Sequence, residues 1–514
     1  MRLSTVGYWS GGSGGGTGTY GSVSRFPAVD GNAWYASSPW TWDWNGEIAQ
    51  NSDNVDTDWS ASENRSTGIL RNSINRQWTL GAISKFNYDY SNEIKLQFGI
   101  DWRTAGIEHA REVRDLLGGE YYVDFADDNN GFLMEIDPGT GDTTYTNIGK
   151  MVRLGDIIAY HNETTVDWFG FFGQGNYESG PLSAYGMFGW SSIKYTYQDH
   201  FTVADEVIEA DPISAMQFKG GAMYQLYDNL SVFANAGLVE KAPIMDNVID
   251  VDGYVATDPA NEKFKSFEGG LNYTSGNIAL KANYYNTYWE DRNLTKSVTT
   301  GQGSSGDTDI IYLTGVNQIH TGYELEVSAQ LNDELRLDAA ISLGDWSFDG
   351  DADGTYSELT ETGVEQTDYT YALDGLYVGD MPQTSYTFGF TYRPFDGLSA
   401  QFLTNMYDNN YADWSPDDRE YDGSDEDADR EQVWMAPAYS KTDLHIFYNL
   451  PVDAGGSEIQ LFCHVFNLFD DAYIQDATDN SQYNGWGGTS HDADNAEVFF
   501  GSPRRFNAGL SFRF

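Results

Sequence analysis

The amino-acid sequence predicts an all-β fold, a transmembrane antiparallel up-and-down β-barrel. Three observations support this prediction: apolar and polar residues alternate along many segments, the composition favours strands and turns, and short polar connections alternate with long ones. Strict alternation describes a strand with one apolar and one polar face. If the apolar face meets lipid and the polar face meets water, such strands build a barrel that crosses an outer membrane.

The alternating segments are long enough to cross a bilayer. Leu510, Phe512 and Phe514 fall on one face of the last segment, whereas Ser511 and Arg513 fall on the other. Several segments have about nine or more residues, the length that a tilted membrane-crossing strand needs. The clearest alternating segments, four of which have nine or more residues, are residues 94–103, 278–284, 323–331, 335–343, 386–393 and 506–514. Counting such segments gives roughly 16 or 17 strands.

The connections between these segments are alternately short and long. Tight polar turns are predicted at residues 89–93, 227–230, 274–277, 331–334, 394–398 and 451–457. Long loops are predicted near residues 107–145, 199–212, 289–310, 349–380, 408–436 and 470–500. This order is typical of an up-and-down barrel with periplasmic turns and extracellular loops. A soluble domain would seldom contain so many loops longer than about 15 residues.

Composition and charge narrow the class further. The chain has 514 residues, with 35 Tyr, 28 Phe and 55 Gly, a mixture that favours strands and turns over helices. A net charge of -50 argues against nucleic acid as a partner, because a phosphate backbone needs a basic surface. The single cysteine, Cys463, is interpreted as a small apolar residue of a strand.

The amino-terminal residues do not read as a secretory signal. Residues 1–20 contain only Arg2 as a basic residue and have no apolar core of the kind that a signal peptide requires. No run of 18 apolar residues exists that would predict a transmembrane helix. Because an outer-membrane protein needs a signal peptide, we expect this chain to be the carboxy-terminal part of a longer protein or its mature fragment.

Two carboxy-terminal motifs resemble those of TonB-dependent receptors. Residues 462–473 (FCHVFNLFDDAY) resemble the family's xxNLFDxxY motif, and residues 501–514 (GSPRRFNAGLSFRF) are similar to its terminal GxPRxFxxGxxxxF segment. A more divergent match, residues 232–243, departs from the family pattern at residues 239–241. The matching motif residues are Asn467, Leu468, Phe469, Asp470, Tyr473, Pro503 and Arg504.

The resemblance implies that residues 1–514 are a single β-barrel domain, part of a 22-stranded receptor barrel that lacks its amino-terminal plug and first strands. It implies a receptor in the outer membrane of a Gram-negative cell that takes up a nutrient of unknown identity. Expected partners are outer-membrane lipid, the barrel-assembly machinery, a small-molecule or oligosaccharide ligand and, through the plug, the TonB complex. Leu510, Phe512 and Phe514 would form the assembly signal. The alternative is a passive plugless porin or a surface-adhesion barrel.

We expect no enzyme activity and no catalytic, cofactor-binding or metal site. A hydrolase would need a nucleophile beside a base, and no spacing pairs Ser with His. The run between Gly11 and Gly21 contains GxSxG and GxGxxG matches, but no helical pattern follows, so we predict a flexible loop.

Three other features remain open hypotheses. Weak calcium binding could occur in the acidic loop between Asp417 and Glu431, or at Asp349, Asp351 and Asp353, although Thr360 stands where an EF-hand requires Glu. Residues 107–117 are predicted to form a surface helix, on which His109 and Glu112 could share a face as metal ligands. An amino-terminal group of tryptophans could stack on a ligand, pack on the loop itself or lie in an interfacial girdle; it comprises Trp34, Trp40, Trp42, Trp44 and Trp59.

Overall fold

A computed structural model describes residues 1–27, 37–136, 143–202, 206–250, 253–257, 259–300, 307–360, 363–416, 419–421, 428–452, 458–480 and 490–513. The long strands are β1 (Arg2–Gly21), β2 (Gly68–Asp89), β3 (Ile94–Asp115), β4 (Ile157–Ser179), β5 (Leu182–Asp199), β6 (Ile213–Tyr227), β7 (Leu230–Lys241) and β8 (Glu262–Ser275). They continue as β9 (Ile278–Thr300), β10 (Asp307–Gln330), β11 (Leu335–Phe348), β12 (Thr384–Tyr392), β13 (Leu398–Asp408), β14 (Tyr439–Asn449), β15 (Glu458–Phe466) and β16 (Arg505–Arg513).

These strands form an antiparallel up-and-down meander. Each pairs with the next one along the chain, from β1 with β2 to β15 with β16. Together with four shorter loop strands they make one 20-stranded sheet. The predicted all-β, up-and-down antiparallel fold is therefore confirmed, and β1 to β16 agree with the predicted number of strands.

The alternation of side chains gives the sheet an apolar face and a polar face. Phe98, Ile100 and Trp102 lie on the apolar face of β3 and are 49, 53 and 43% exposed. Large side chains of this kind stay exposed to water in few soluble proteins, whereas a lipid-facing band requires them. On the polar face, Gln97 donates to Asn87 across β2 and β3 at 2.8 Å. Polar side chains thus bond across the strands on the face opposite the apolar band.

The two ends of the sheet differ in their connections. At one end, the turn end, short connections follow β2, β4, β6, β8, β10, β12 and β14. Gly180 and Gly276 occupy two of these turns with φ of 56° and 55°, a left-handed backbone that glycine adopts without strain. At the other end, the loop end, the connections that follow β1, β3, β5, β7, β11, β13 and β15 are long, whereas the one between β9 and β10 spans only residues 301–306. The predicted alternation of short and long connections is confirmed for the other connections, but the long loop predicted near residues 289–310 is wrong, because β9 and β10 stay paired as far as Thr300 and Asp307.

The long connections carry their own short elements. A helix, Trp44–Asn51, begins after Asp43, whose side chain accepts a hydrogen bond from Gly46 N at 2.9 Å as an N-cap. Short strands lie at Arg25–Pro27, Ser37–Trp42, Tyr122–Asp124, Phe132–Ile136, Thr143–Asn147, Lys150–Val152, Ile208–Glu209, Ala352–Thr360, Gly363–Tyr371, Asn410–Tyr411, Glu420–Tyr421, Met435–Ala436, Ile474–Thr478 and Glu497–Phe500. Single 3-10 turns lie at Asp128–Asn130 and Met245–Asn247. Within the described residues, no helix is both long and apolar enough to span a membrane.

In the part of the chain that the structure describes, buried apolar residues gather at the loop end in three clusters. The largest joins the ends of β10 and β11 to two long connections and includes Leu313, Phe348, Tyr371, Leu373 and Trp414. The other two are built around Tyr195, Tyr197, Val248 and Ile249, and around Ile69, Val113, Val152 and Ile158. The long connections therefore fold onto the sheet ends as small packed layers.

Two local predictions were wrong. Residues 107–115, predicted as part of a helix, continue β3, where they pair with both β2 and β4. The glycine run predicted as a flexible loop belongs to β1, which pairs with β2 from Arg2 to Gly21. The spacing of charged residues within 107–117 favoured a helix in the first case. In the second case glycine, which has no side chain, gave no alternating pattern from which to predict a strand. Backbone pairing outweighs local propensity in both cases: β3 is paired on both sides, and β1 is paired along its whole length.

Candidate functional site: a charged aromatic cavity at the loop end

A cavity of about 420 Å³ lies on the polar face at the loop end. Strands β9, β10 and β11 supply one side of it, and the connections that follow β11 and β13 supply the other. The residues that define its character are Trp289, Arg292, Lys296, His320, Trp346, Asp380, Asp413 and Trp414. The cavity thus combines flat aromatic surfaces with charges of both signs.

The aromatic side is a row of rings across three strands. Trp289 and His320 have ring centroids 6.5 Å apart, and His320 and Trp346 are 5.6 Å apart. Both indole N–H groups are fixed: Trp289 donates to buried Glu262 at 3.0 Å, and Trp346 donates to Tyr285 at 3.0 Å. Because their polar edges are held, the rings present their faces in a defined orientation.

The charged side contains cations packed against aromatic rings. The Arg292 guanidinium lies 4.6 Å from the Trp289 ring centroid, and Lys296 Nζ lies 4.7 Å from that of Trp414. Lys296 also forms an ion pair with Asp413 and donates to the Trp414 carbonyl at 3.2 Å. These cation–π and ion-pair contacts hold both cations in place while they line the cavity.

Two buried donors that line the cavity lack a partner. Gln318 Nε2 and Trp414 Nε1 form no hydrogen bond with any described residue. Gln318 is fully buried, and its Oε1 accepts from His320 Nε2 at 3.1 Å. Because an unpaired buried donor costs about 1–3 kcal/mol, groups of this kind are often satisfied by water or ligand.

Asp380 is the carboxylate whose protonation responds to this environment. It lies in the connection after β11 with a left-handed φ of 69°, and it remains accessible at the cavity mouth. Partial desolvation of its carboxylate, together with the negative charges of Asp413 and Asp476, raises its pKa to about 6, against the opposing effect of Lys296 and Arg292. Asp380 therefore changes charge close to neutral pH.

A second cavity, of about 310 Å³, adjoins the first at Asp380. A ladder of tyrosines lines it: the Tyr407 and Tyr439 ring centroids are 5.0 Å apart, and those of Tyr439 and Tyr473 are 4.6 Å apart. Lys441 and Asp476 add one charge of each sign. The two cavities share Asp380, and we call their two rows of rings together the aromatic rail, defined by Trp289, His320, Trp346, Tyr407, Tyr439 and Tyr473.

A larger cavity of about 470 Å³ lies between β4 and β7, under the turn that follows β7. Its lining is mostly apolar, with Trp168, Phe172 and Tyr195 on the polar side of the sheet. It contains three charged residues, Asp101, Glu240 and Lys241, whereas six charged side chains line the two cavities of the aromatic rail. We therefore take the aromatic rail as the candidate ligand site.

The predicted motif residues form a structural clasp near this rail. Asn467 is buried with a left-handed φ of 50°, and its side chain bonds to the backbone of Asp471 at 2.9 and 3.0 Å and to Ser502 O at 3.2 Å. Asp470 Oδ1 accepts from Arg504 N at 2.7 Å, and Leu468 N donates to Thr442 O at 2.7 Å. The clasp joins the ends of β14, β15 and β16.

The remaining motif residues divide between the rail and the surface. Tyr473 lines the second cavity, and a Cβ at Gly501 would come within 1.9 Å of its ring, so glycine is needed there. Phe469 is 66% exposed, and Pro503 is exposed in the segment before β16. Only Tyr473 among the predicted motif residues therefore lines the candidate ligand site.

The predicted assembly residues lie on the last strand. Leu510 and Phe512 are on the apolar face of β16 and are 61 and 49% exposed. Phe514 lies outside the described residues. Their role in assembly stays a prediction.

The carboxylates proposed for calcium already have protein partners. Asp351 accepts two bonds from Arg430 at 3.0 Å each and one from Tyr421 at 2.6 Å. Asp349 accepts from Tyr288 at 2.7 Å, and Asp353 accepts from Thr370 at 3.2 Å. Part of the acidic loop between Asp417 and Glu431, residues 417–418 and 422–427, lies outside the described residues. Calcium binding stays a hypothesis.

The proposed pair of His109 and Glu112 does not come together. Both lie on β3, where residues three positions apart point to opposite faces of the sheet. Glu112 accepts from Asn72 Nδ2 at 3.3 Å instead. These two side chains therefore cannot bind one metal ion.

The GxSxG and GxGxxG matches lie within β1, without the turn and helix that either motif requires.

The described tryptophans of the amino-terminal group pack within the protein. Trp42 and Trp44 have ring centroids 5.8 Å apart, with Arg25 4.0 Å above the Trp42 ring, and Trp59 contacts Phe125 edge-on at 6.1 Å. Trp34 and the side chain of Trp40 lie outside the described residues. Packing of the loop on itself is therefore supported for Trp42 and Trp44, whereas Trp59 packs against the connection that follows β3.

Sequence reasoning missed most of the aromatic rail. Trp289, His320 and Trp346 are more than 25 residues apart along the chain, and only the strand register brings them together. One signal could have predicted this site: aromatic residues occur near the loop-side ends of the three consecutive predicted strands that correspond to β9, β10 and β11. Asp380 gave no signal, because its loop carries no pattern that predicts where it folds.

Comparisons with known proteins agree with this architecture. Residues 2–468 match a protein-family model described as TonB dependent receptor-like, beta-barrel. No curated protein sequence matches the chain.

Several solved structures have a similar fold. The copper transporter OprC has 15% sequence identity and a TM-score of 0.55, over 87% of this chain and 57% of its own. The unliganded ferric citrate transporter FecA has 12% identity and a TM-score of 0.54, over 86% and 55%. The FrpB iron transporter from Neisseria meningitidis has 13% identity and a TM-score of 0.51, over 87% and 59%. At these identities the likeness concerns the fold alone, and the chain spans less than two thirds of each structure.

Proposed function

This chain belongs to the TonB-dependent receptor β-barrel family, and we propose that it forms the wall and ligand site of an outer-membrane receptor for nutrient uptake. Members of the family are receptors and transporters in the outer membrane of Gram-negative bacteria. The observation that carries the proposal is the aromatic rail, which lies on the polar face at the loop end. A ligand that arrives from outside the cell would meet this end first.

The balance of charge along the rail favours a neutral or cationic ligand. Three cations, Arg292, Lys296 and Lys441, face three carboxylates, Asp380, Asp413 and Asp476. The whole chain carries -50, so its long-range field repels anions. The similar solved structures are named for copper, ferric citrate and iron. A negatively charged ferric chelate would need an excess of cations that the rail does not supply.

The chemistry of the rail fits a short oligosaccharide. Sugar rings have flat apolar faces that stack on indole and phenol rings, while their hydroxyls donate to carboxylates and accept from cations and amides. Recognition of this kind needs no covalent chemistry, so the proposed receptor acts by binding alone.

We further propose that the complete receptor includes a plug domain and additional strands, and that TonB moves the plug to release the ligand inward. In support, the chain spans 55 to 59% of the length of the three similar structures. The apolar face of β16, with Leu510 and Phe512, would be the surface that the barrel-assembly machinery reads.

Ligand titration of the folded barrel tests the proposal. Saturable quenching of tryptophan fluorescence by neutral oligosaccharides, and none by ferric citrate, is the expected result. Trp346→Ala should weaken binding about three- to tenfold, since one aromatic contact contributes about 0.5–1.5 kcal/mol. Trp102→Ala, which removes an exposed indole from the apolar face, is the matched control and should bind normally. Tight binding of ferric citrate would contradict the proposed ligand class.

The passive-barrel alternative needs a separate measurement on the complete receptor. In planar bilayers the receptor should show little steady ion conductance, because the plug would close the barrel. Uptake by cells should then require an energised inner membrane. Steady conductance together with uptake in de-energised cells would favour the passive barrel.

A further inference from the structure

A cluster of imidazole and carboxylate groups lies on the other side of the sheet from the aromatic rail. The ligand atoms of His161, Glu163 and His200 all lie within 4.8 Å of one another. His161 and Glu163 occupy β4, and His200 follows directly after β5. The cluster is separate from the proposed ligand site.

Its position places it outside the lipid-facing band. Glu163 and Phe169 lie on the same face of β4, six residues apart, which is about 20 Å along a strand. Phe169 is exposed and apolar, whereas the intervening positions on that face, Thr165 and Asp167, are polar. The cluster therefore lies beyond the apolar band at the loop end, with Glu163 exposed and the two histidines partly buried.

The backbone around His161 is built to set its direction. A bulge interrupts the pairing of β3 with β4 between Ile158 and His161. Within it, Ala159 has a left-handed φ of 65°, an uncommon conformation for a residue with a side chain, and its N–H donates to Asp124 at 3.3 Å. Bulges commonly redirect a side chain at functional positions. After the bulge, His161 and Glu163 are two residues apart and share one face.

The distances suit a tetrahedral metal ion. Two ligand atoms about 2.0 Å from zinc in tetrahedral geometry are about 3.3 Å apart. His200 Nε2 lies 3.5 Å from Glu163 Oε1, and His161 Nε2 lies 3.4 Å from Glu108 Oε1. Only small side-chain movements would bring the three groups of the cluster around one ion.

The charges of the carboxylates and the hydrogen bonding of the imidazoles also favour a metal ion at this cluster. Glu163 and Glu108 supply two negative charges, and Arg76 holds Glu108 in place at 2.9 Å. His161 Nε2 is buried and forms no hydrogen bond with any described residue. The two imidazole centroids are 4.5 Å apart, and Phe201 packs edge-on against His161. An imidazole that is neutral has one ring nitrogen whose lone pair can bind a metal ion.

We propose that His161, Glu163 and His200 bind a divalent transition metal of the zinc class, with Glu108 as the fourth ligand or as the group that orients His161. Two imidazoles with carboxylate oxygen form a set that zinc accepts readily. The ion ties β4 to the segment after β5. That segment also holds the turn at Asp128–Asn130, through Asn129 Nδ2 to His200 O at 3.0 Å and Asp128 N to Phe201 O at 2.9 Å. Metal binding thus fastens two long connections together.

Calorimetric titration of the folded, tag-free chain with Zn²⁺ tests the proposal. One ion per chain should bind with a dissociation constant in the micromolar range or tighter. His161→Ala and His200→Ala should each weaken binding at least tenfold, and Glu108→Gln several-fold. His109→Ala is the matched control, because it removes a histidine from the opposite face of the neighbouring strand, and it should bind zinc as the wild type does.

A spectroscopic measurement on the wild type makes the test independent of variant folding. X-ray absorption of the zinc-loaded protein should show two imidazole ligands per ion at about 2.0 Å. A first shell of oxygen alone would overturn the proposal. So would the absence of binding at 100 µM added zinc, or unchanged affinity in folded His161→Ala and His200→Ala.

Discussion

The turn end and the loop end of this sheet are stabilised in different ways. Towards the turn end, the wall consists of paired strands whose large side chains, such as Phe388, Leu510 and Phe512, stay exposed on the apolar face. At the loop end, all three clusters of buried apolar residues lie where the long connections fold onto the strands. The wall therefore depends on lipid to bury its apolar surface, whereas the loop end buries its own.

This difference explains where binding sites can form. The wall is a single sheet with one layer of side chains on each face. It therefore has few positions where side chains from several elements surround one polar group. The loop end has such a position: Arg419 is fully buried there, between the Asp479 carboxylate, His491 and the backbone carbonyls of Asp429 and Glu431. Packed connections of this kind give the aromatic rail rigid support, which a ligand site requires.

The largest expected effect comes from placing a charge on the wall. Leu510→Asp puts a carboxylate on the lipid-facing side of β16, which costs up to a few kcal/mol and should prevent assembly. Ser511→Asp is the matched control, because the adjacent residue points to the polar face and faces Gln460. The heat-modifiable electrophoretic band of the folded barrel measures the outcome. If Leu510→Asp assembles as well as Ser511→Asp, the wall does not depend on lipid as proposed.

The second effect tests the clasp at the loop end. Asn467→Ala removes the side-chain bonds to Asp471 and Ser502 and leaves alanine in a left-handed conformation, which should lower the free energy of unfolding by about 3 kcal/mol. Asn467→Gly lacks the same side-chain bonds, but glycine adopts the left-handed conformation without strain. Its free energy of unfolding should therefore be about 1 kcal/mol higher than that of Asn467→Ala. Urea unfolding in lipid vesicles measures both values.

The control for the clasp lies in the same motif. Phe469→Ala removes an exposed ring two residues away and should change the free energy of unfolding by less than about 0.5 kcal/mol. An equal loss in Phe469→Ala and Asn467→Ala would show that the motif acts through something other than the buried hydrogen bonds.

The wall could be predicted from the sequence, because every strand in it repeats the same alternation of apolar and polar side chains. Each strand must alternate apolar and polar side chains, so Tyr386, Phe388 and Phe390 reveal their strand without knowledge of its neighbours. The prediction failed where this signal was absent, as in the glycine run of β1, or where a local pattern competed with it, as at residues 107–115. There, pairing with both β2 and β4 outweighs the charge spacing that favoured a helix.

The loop end could not be predicted in the same way. Asp380, Asp413 and Arg292 meet through three separate connections and strand ends, and nothing in their local sequence encodes that meeting. The family motif was visible because the clasp uses a fixed local geometry around Asn467. Its purpose as a structural joint was clear only from the hydrogen bonds.

The third effect is a pH dependence confined to the loop end. Burial lowers the pKa of His491, but its bonds to Asp429 at 2.9 Å and Asp479 outweigh burial and the repulsion from Arg419, so its pKa is raised above 6.5. A raised histidine pKa contributes stability that is fully present below about pH 6.5 and is lost as pH rises through the folded value. Amide protection in the segments around Arg419 and His491, corrected for intrinsic exchange, should therefore fall between pH 6 and pH 8.5.

Two variants separate this effect from a general response to pH. His491→Gln should remove the pH dependence in these segments, and His109→Gln on β3 should leave it intact. Protection in the middle of β12 and β13 should not follow the same pH profile in any variant. A uniform loss of protection across wall and loop end would contradict the independence of the two regions.

The smallest effect concerns Asp380 at the mouth of the rail. Its pKa of about 6 lies above the usual value near 3.8, so the folded state holds the proton more tightly and stability falls as pH rises from about 4 to 6. Because this carboxylate is accessible to water, the loss should be less than about 1 kcal/mol. Asp380→Asn should remove this fall, as measured by urea unfolding at pH 4.5 and 7. Asp476→Asn should lower the pKa of Asp380, because it removes one of the negative neighbours. An unchanged pKa of Asp380 in Asp476→Asn would mean that the charge of Asp476 does not reach Asp380, and that desolvation and Asp413 raise this pKa without it.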